Sequence, residues 1–252
     1  MREDPVGRTC QPTDRFFAIL PAMDAAQRRT VSAFLREGTW FRGLDGEIQD
    51  LILDRSEVRS FQKGQVVSRE GDPPRGLSAV LEGRLWILQH VGADTENLLH
   101  VAEPGFWTGE FAVLTGRPTA VTIVARTPAR ILVLPPAAFE EIATCHPRFY
   151  RAAAQLALSR FGVMLRHVSE AHRSTAEGRL RLVLADRAEM RRWDHPDENP
   201  VCLTLSQEEM ARLAGLSRQT LNNLLQKLQS EQLVDLSFRR IRVLDPEGLR
   251  KK

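Results

Sequence analysis

The chain has 252 residues, 42% of them apolar and 27% charged, with a formal net charge of +3. That is length enough for two domains with real cores, so fibrous, disordered and disulfide-scaffold classes are excluded. No apolar run reaches the ~18 residues of a membrane span, and the opening MREDPVGRTCQPTD has no signal-peptide core, so a cytoplasmic protein with no membrane partner is expected.

Residues 1–38 form an N-terminal extension. Its amphipathic stretch Met23 to Leu35, with Val31, Phe34 and Leu35 on one side, reads as a short helix. Residues 39–146 change pattern. Short apolar runs (QVVS, LSAVL, RLWIL, NLLHVA, VTIVA, RILVL) alternate with turn signals at Lys63-Gly64, Gly71-Asp72-Pro73, Glu82-Gly83, Pro104-Gly105 and Thr115-Gly116. Regular short strands with Gly-bearing turns predict an antiparallel barrel or roll. Pro135-Pro136 then starts a short helix, PAAFEEIATC.

Residues 147–173 read as one long helix. Ala154, Ala157, Phe161, Met164, Val168 and Ala171 recur at alternating spacings of three and four, the seam of a two-stranded coiled coil. At ~26 residues and ~39 Å the helix outruns a domain and expects a second copy. A single amphipathic helix lying on its own barrel is the alternative.

Residues 174–252 make the last domain. Ser174 and Glu177 have capping-box spacing, which places a break and an interdomain hinge at Arg173–Thr175. A helix from Ala176 to about Arg192 turns Leu180, Val183 and Leu184 inward, and the polar stretch Trp193–Pro200 ends it. Of the Lys/Arg and Asp/Glu from 201 to 252, nine against six leave the whole positive excess here, compatible with phosphate binding.

The segment LSQEEMARLAGLSRQTLNNLLQKLQ, Leu205 to Gln229, carries the strongest signal. Ser206 stands three before Glu209, a second capping box, and Ser217 precedes another periodic run. A helix-turn-helix needs a small residue at the crossing, a glycine in the turn and a branched apolar residue facing back. Ala211, Gly215 and Leu221 fill those places, with Met210, Ala214, Leu216 and Leu224 on the inner faces. A helical hairpin in an unrelated core is the alternative. The polar start of the second helix speaks for DNA, since N-terminal residues of a recognition helix reach base edges. Arg suits guanine, and Gln or Asn suits adenine. The expected DNA-binding set is Ser206, Ser217, Arg218, Gln219, Thr220, Asn222, Asn223 and Lys227. LVDLSFRRIRV adds a β-hairpin wing, whose Arg239, Arg240 and Arg242 are expected on phosphates.

From about residue 40 to the end the layout resembles the Crp/Fnr family of bacterial regulators. Gly105-Phe106-Trp107-Thr108-Gly109-Glu110 resembles its phosphate-binding cassette, and Leu216-Ser217-Arg218-Gln219-Thr220 the start of its recognition helix. The resemblance implies an α+β fold: an N-terminal antiparallel β-roll of the jelly-roll type, a dimerisation helix and a C-terminal winged helix-turn-helix. It implies a homodimer on an inverted-repeat operator of double-stranded DNA, and RNA polymerase as a partner. It also places Ser206 near a backbone phosphate.

The departures concern the effector. Cyclic-AMP receptors hold the phosphate with an Arg-Ser or Arg-Thr pair, and here Thr119-Ala120 stands at that place, with Arg117 two residues early. The two hydroxyl residues that meet adenine fall on Met164 and Leu165, which cannot form those hydrogen bonds. Cyclic AMP is therefore expected not to bind tightly. The candidate effector pocket comprises Trp107, Gly109, Glu110, Phe111, Thr119, Ala120, Met164 and Leu165. It is either filled by its own side chains or takes an unidentified small effector. Cys10, Cys145 and Cys202 are scattered and read as free thiols. No iron–sulfur cluster is expected from Cys10 alone, and no haem from His90, His100, His167 or His172. Asp194-His195-Pro196-Asp197 reads as a polar turn, with no metal site expected. No Ser-His-Asp order or Walker-type loop supports catalysis, so an enzyme is not expected.

Overall fold

The computed structural model describes residues 23–91, 95–171, 175–237 and 240–251. Two compact units divide them: one runs to Trp86 and takes in Ala102–Leu158, the other takes in Ile87–Val101 and the chain from Ser159 onward.

The first unit opens with α1 (Ala25–Leu35), started by the Asp24 carboxylate, which accepts from the Ala26 and Gln27 amides. Helices α2 (Thr39–Arg42) and α3 (Gly46–Asp54) follow, where only strands were expected after residue 38. Tertiary contacts explain them. Trp40, Phe41, Ile48, Ile52 and Leu53 are all buried. The buried Gln49 amide donates to the carbonyls of Phe41 (3.0 Å) and Leu44 (2.9 Å) and accepts from Arg36 Nε (2.9 Å). Polar groups that satisfy one another in this way fix a loop that propensity alone would not.

Strands β1 (Glu57–Phe61), β2 (Val66–Ser68), β3 (Leu77–Glu82), β4 (Leu85–Val91), β5 (Thr95–Ala102) and β6 (Trp107–Thr108) come next. Then follow α4 (Glu110–Thr115), β7 (Thr122–Ala125), β8 (Ala129–Leu134) and α5 (Pro136–Cys145). One antiparallel sheet has the order β1-β8-β3-β6. Its central strand β3 is buried from Leu77 through Leu81, and Leu77 lies opposite Leu134. β2 pairs antiparallel with β7. Helix α5 closes the core with Phe139 and Ile142.

Helix α6 (Pro147–Ala171) starts as part of that core through Phe149, Ala153 and Leu156. Trp40 Nε1 donates to Ala152 O at 2.8 Å. Beyond Leu156 the helix exposes Leu158, Phe161, Met164 and Leu165.

The second unit contains α7 (Ala176–Asp194), β9 (Val201–Leu203), α8 (Gln207–Ala214), α9 (Arg218–Ser230), β10 (Val234–Ser237), β11 (Arg240–Val243) and α10 (Pro246–Arg250). The cap of α7 is Thr175, which accepts from the Gly178 amide; the expected cap Ser174 lies outside the described residues. Leu180, Val183 and Leu184 of α7 are buried, as their spacing predicts. The sheet order is β10-β11-β9, so the wing hairpin gains a third strand from the residues just after the expected polar stretch. Residues Ile87–Val101 join this unit: Arg187 of α7 donates to Leu99 O (2.7 Å) and meets His100 Nδ1. Cys202 is a free thiol, whereas Cys145 is disulfide-bonded, against the expectation.

The fold is thus α+β: antiparallel sheets with helices, then a long helix, then a helix-turn-helix flanked by a small sheet.

Candidate nucleic-acid interface

Helix α8 begins with a complete capping box. Ser206 Oγ accepts from the Glu209 amide (3.2 Å), and the Glu209 carboxylate accepts from the Ser206 amide and hydroxyl (both 2.8 Å). The helix ends on Gly215 at φ +61°, a left-handed residue that reverses the chain without a Cβ penalty. Ser217 then caps α9: its Oγ accepts from the Thr220 amide (3.1 Å) and shares a hydrogen bond with Thr220 Oγ1 (2.8 Å). Met210, Ala211 and Ala214 of α8 and Leu221, Leu225 and Leu228 of α9 are buried, which locks the two helices together.

That burial decides which side chains of α9 face water. Gln219 and Asn223 are exposed and Asn222 is half-buried, on the side away from Leu221 and Leu225. Arg218, at the first helical position, keeps 70% of its side chain exposed, with Glu208 Oε2 3.8 Å away. An exposed guanidinium and three exposed or half-exposed amides at a helix N-terminus form a surface able to donate to and accept from base edges. The hydroxyls of Ser206, Ser217 and Thr220 are committed to caps. Arg240 is exposed at the start of β11, while Arg239 lies outside the described residues. Arg242 Nε donates across the hairpin to Asp235 (2.9 Å).

Lys227 is placed differently from the other expected DNA contacts. Its ammonium donates to Glu177 Oε2 of α7 at 2.6 Å. That bond raises the lysine above its ordinary range and lowers the Glu177 carboxyl, which Arg181 also lowers. The Glu177–Arg181 and Lys227–Glu231 pairs both have the helical i,i+4 spacing, a sequence signal that could have drawn attention to this cluster. Arg179, also unforeseen, donates from Nε to Ala214 O at 3.1 Å.

The candidate effector residues are spread over both units. Trp107 is a core residue, stacked on Phe41 (5.9 Å between ring centroids) and tilted on Trp40 (4.6 Å). Gly109 has φ +92°, and a Cβ there would stand 2.1 Å from Gly76 O, so only glycine fits. Glu110, the first residue of α4, is buried, and Phe111 beside it is exposed. Thr119 is sewn to the loop before β3: its Oγ1 donates to Arg69 O (2.5 Å) and its amide to Asp72 O (2.9 Å). Ala120 and Arg117 are exposed. Met164 and Leu165 lie exposed on α6, in the second unit. Of the expected dimer seam, Ala154 and Ala157 are half-buried and Phe161 and Met164 exposed; the side chains of Val168 and Ala171 lie outside the described residues. Among the described residues no cluster of metal-ligating side chains occurs, and no helix is long and apolar enough to cross a membrane.

The sequence matches a cyclic nucleotide-binding domain over residues 58–145 and a Crp-like helix-turn-helix domain over residues 178–252. Among solved structures, FixK2 from Bradyrhizobium japonicum aligns with a TM-score of 0.64 at 16% identity, covering 77% of this chain and 95% of that one. CLP, the c-di-GMP responsive global regulator of Xanthomonas campestris, aligns with a TM-score of 0.59 at 22% identity, covering 79% and 99%. These two likenesses show the fold. Human patatin-like phospholipase domain-containing protein 6 is 31% identical over 152 residues, 60% of this chain and 11% of its own length. The chain therefore spans only about a tenth of that curated relative.

Proposed function

The chain belongs to the Crp/Fnr family of transcription regulators, and from that premise we propose that it binds an inverted-repeat DNA operator as a homodimer in the cytoplasm. The observation that carries this reading is the α8–Gly215–α9 corner, with Arg218, Gln219, Asn222 and Asn223 at the start of α9. Those residues read bases, Arg240 and the wing hold phosphates, and RNA polymerase is the downstream partner. Two subunits zip along α6, whose Phe161 and Met164 remain exposed in the single chain. Two-fold symmetry then sets the half-sites about one or two helical turns apart, at ~34 Å per turn.

We propose further that the β-roll is not a tight cyclic-AMP receptor. A buried phosphate needs a fixed cation, and the Thr119 hydroxyl at that place is bonded to Arg69 O. A second reading, gating by another small effector, is favoured by the cyclic nucleotide-binding domain match over residues 58–145. Selection of duplexes from a random library by the purified protein tests the function. An inverted repeat supports the reading. Recovery of no sequence above background, from a protein of single-subunit mass, refutes it.

A further inference from the structure

The recognition helix is fastened to α7 by charge as well as by its apolar face. Glu177 stands in the first turn of α7, just beyond the expected hinge. One of its carboxylate oxygens accepts from Lys227 (2.6 Å) and the other from Arg181 Nε (2.9 Å). Arg181 continues to Glu231, the C-cap of α9, and Lys227 lies 3.8 Å from the same Glu231. Two cations and two anions thus alternate between two helices, and the Arg181 and Glu177 side chains are 17% and 24% exposed. Isolated surface pairs contribute little, whereas a connected and partly buried set holds geometry better than its members singly.

We propose that Lys227 is a positioning residue and not a phosphate ligand: with Glu177, Arg181 and Glu231 it forms a clasp that sets the angle of the reading helix on α7. The proposal rests on the DNA-binding reading above. It follows from where the charges are spent. A lysine on the outer half of α9 that bonded phosphate would have to leave Glu177, a partner already at 2.6 Å. The clasp also ties the reading helix to the segment that leaves the long helix, so any rotation of α7 carries the base-reading side chains with it.

The distinguishing measurement is the salt dependence of binding. Removing a cation that neutralises one duplex phosphate lowers the slope of log affinity against log salt by about 0.9 and weakens all sequences alike. For Lys227→Met we expect an unchanged slope, a loss of about two- to fivefold on the selected operator, and little change on unrelated duplex. Glu177→Gln, which also weakens the bond to Arg181, should lose at least that factor on the operator, although it removes a negative charge that would otherwise repel DNA. The double variant should lose no more than Glu177→Gln alone, since that change already breaks the bond to Lys227. A slope lowered by about one for Lys227→Met, or a gain in operator affinity for Glu177→Gln, overturns the proposal. A readout without DNA keeps the two claims separable. Carboxyl titration by NMR should show Glu177 rising toward the ordinary glutamate range in Lys227→Met. If the wild type binds no duplex, the DNA reading and the positioning role fall together. If the wild type binds and the Glu177 titration does not move, the clasp alone fails.

Discussion

Arg179 Nε, in the first turns of α7, donates to the main-chain carbonyl of Ala214 at 3.1 Å, and its Nη2 lies 3.5 Å from Gly215 O. Ala214 is the last residue of α8, and its carbonyl is one of those a helix end leaves unsatisfied. A cation there also complements the negative end of the helix. Replacing Arg179 by Met should lower the stability of the chain by about 1–2 kcal/mol, the range for removing a charge-assisted hydrogen bond at a half-buried site. Urea unfolding of the full chain checks it. A wild-type midpoint would mean that the turn holds without this bond.

Tyr150 is the one tyrosine of the chain, so tyrosinate absorbance reports it alone. Burial and then the Glu140 carboxylate, to which its hydroxyl donates at 2.5 Å, push its pKa up to about 12. The folded state holds the proton more tightly than the unfolded chain, whose tyrosine titrates near 10. Stability from this group is therefore complete below pH ~10 and is lost as pH rises through about 12. Glu140→Gln should bring the midpoint down part of the way, because burial is the larger cause. A wild-type midpoint near 10 contradicts the partly buried, bonded hydroxyl.

Arg218 and Arg240 should fail in different ways. Arg218 stands at the tip of the reading helix, so Arg218→Ala is expected to cost about 1–3 kcal/mol and to relax the preference at one base pair. Arg240 is exposed on the wing, and Arg240→Ala should weaken all sequences alike and lower the salt slope by about one. Binding of operator variants over a salt series separates the two. If Arg218→Ala left discrimination intact, base reading would have to lie elsewhere on α9.

The corner between α8 and α9 is legible in the sequence because its determinants are local. Ser206 and Glu209 cap within four residues, Gly215 marks the left-handed turn, and Leu221, Leu225 and Leu228 repeat with the helix period. Helices α2 and α3 are not legible. Four and nine residues are too few for period to separate helix from strand, and Gln49 holds them through contacts that only the folded chain supplies. Trp107 reads as a pocket residue within a glycine-rich motif, and its burial depends on Trp40 and Phe41 from that same unforeseen helix. Lys227 reads as one more cation on a polar face, because its partner Glu177 is fifty residues away. Thr175 caps α7 in the neighbourhood where Ser174 is expected: adjacent hydroxyls look alike until backbone geometry chooses.

The proposed homodimer rests on the apolar stripe of α6. Phe161 is 48% and Met164 55% exposed, and Leu158 and Leu165 extend the patch on either side. Burying side chains of this size against a second copy contributes up to about 1.5–3 kcal/mol each. Met164→Glu would set two like charges facing each other across the seam. Sedimentation should then give the mass of one subunit, and operator affinity should fall with it. A dimeric Met164→Glu variant would move the interface off this face.

The missing cation makes the strongest statement about the effector. By the family resemblance Thr119 stands where cyclic-AMP receptors hold the phosphate with an arginine, and both its hydroxyl and its amide are bonded to the loop at Arg69 and Asp72. The nearby Arg75 is itself turned to Asp72, at 3.0 Å. A cyclic phosphate buried there would lack the guanidinium fork that offsets its desolvation. Calorimetric titration with cyclic AMP is therefore expected to show binding weaker than micromolar, that is, less favourable than about −8 kcal/mol. The paired substitution Thr119→Arg with Ala120→Ser should gain at least about tenfold, or about 1.4 kcal/mol, by restoring fork and hydroxyl together. Micromolar binding by the wild type would mean that Glu110 and the cassette backbone suffice without a cation, and the filled-pocket reading would be lost.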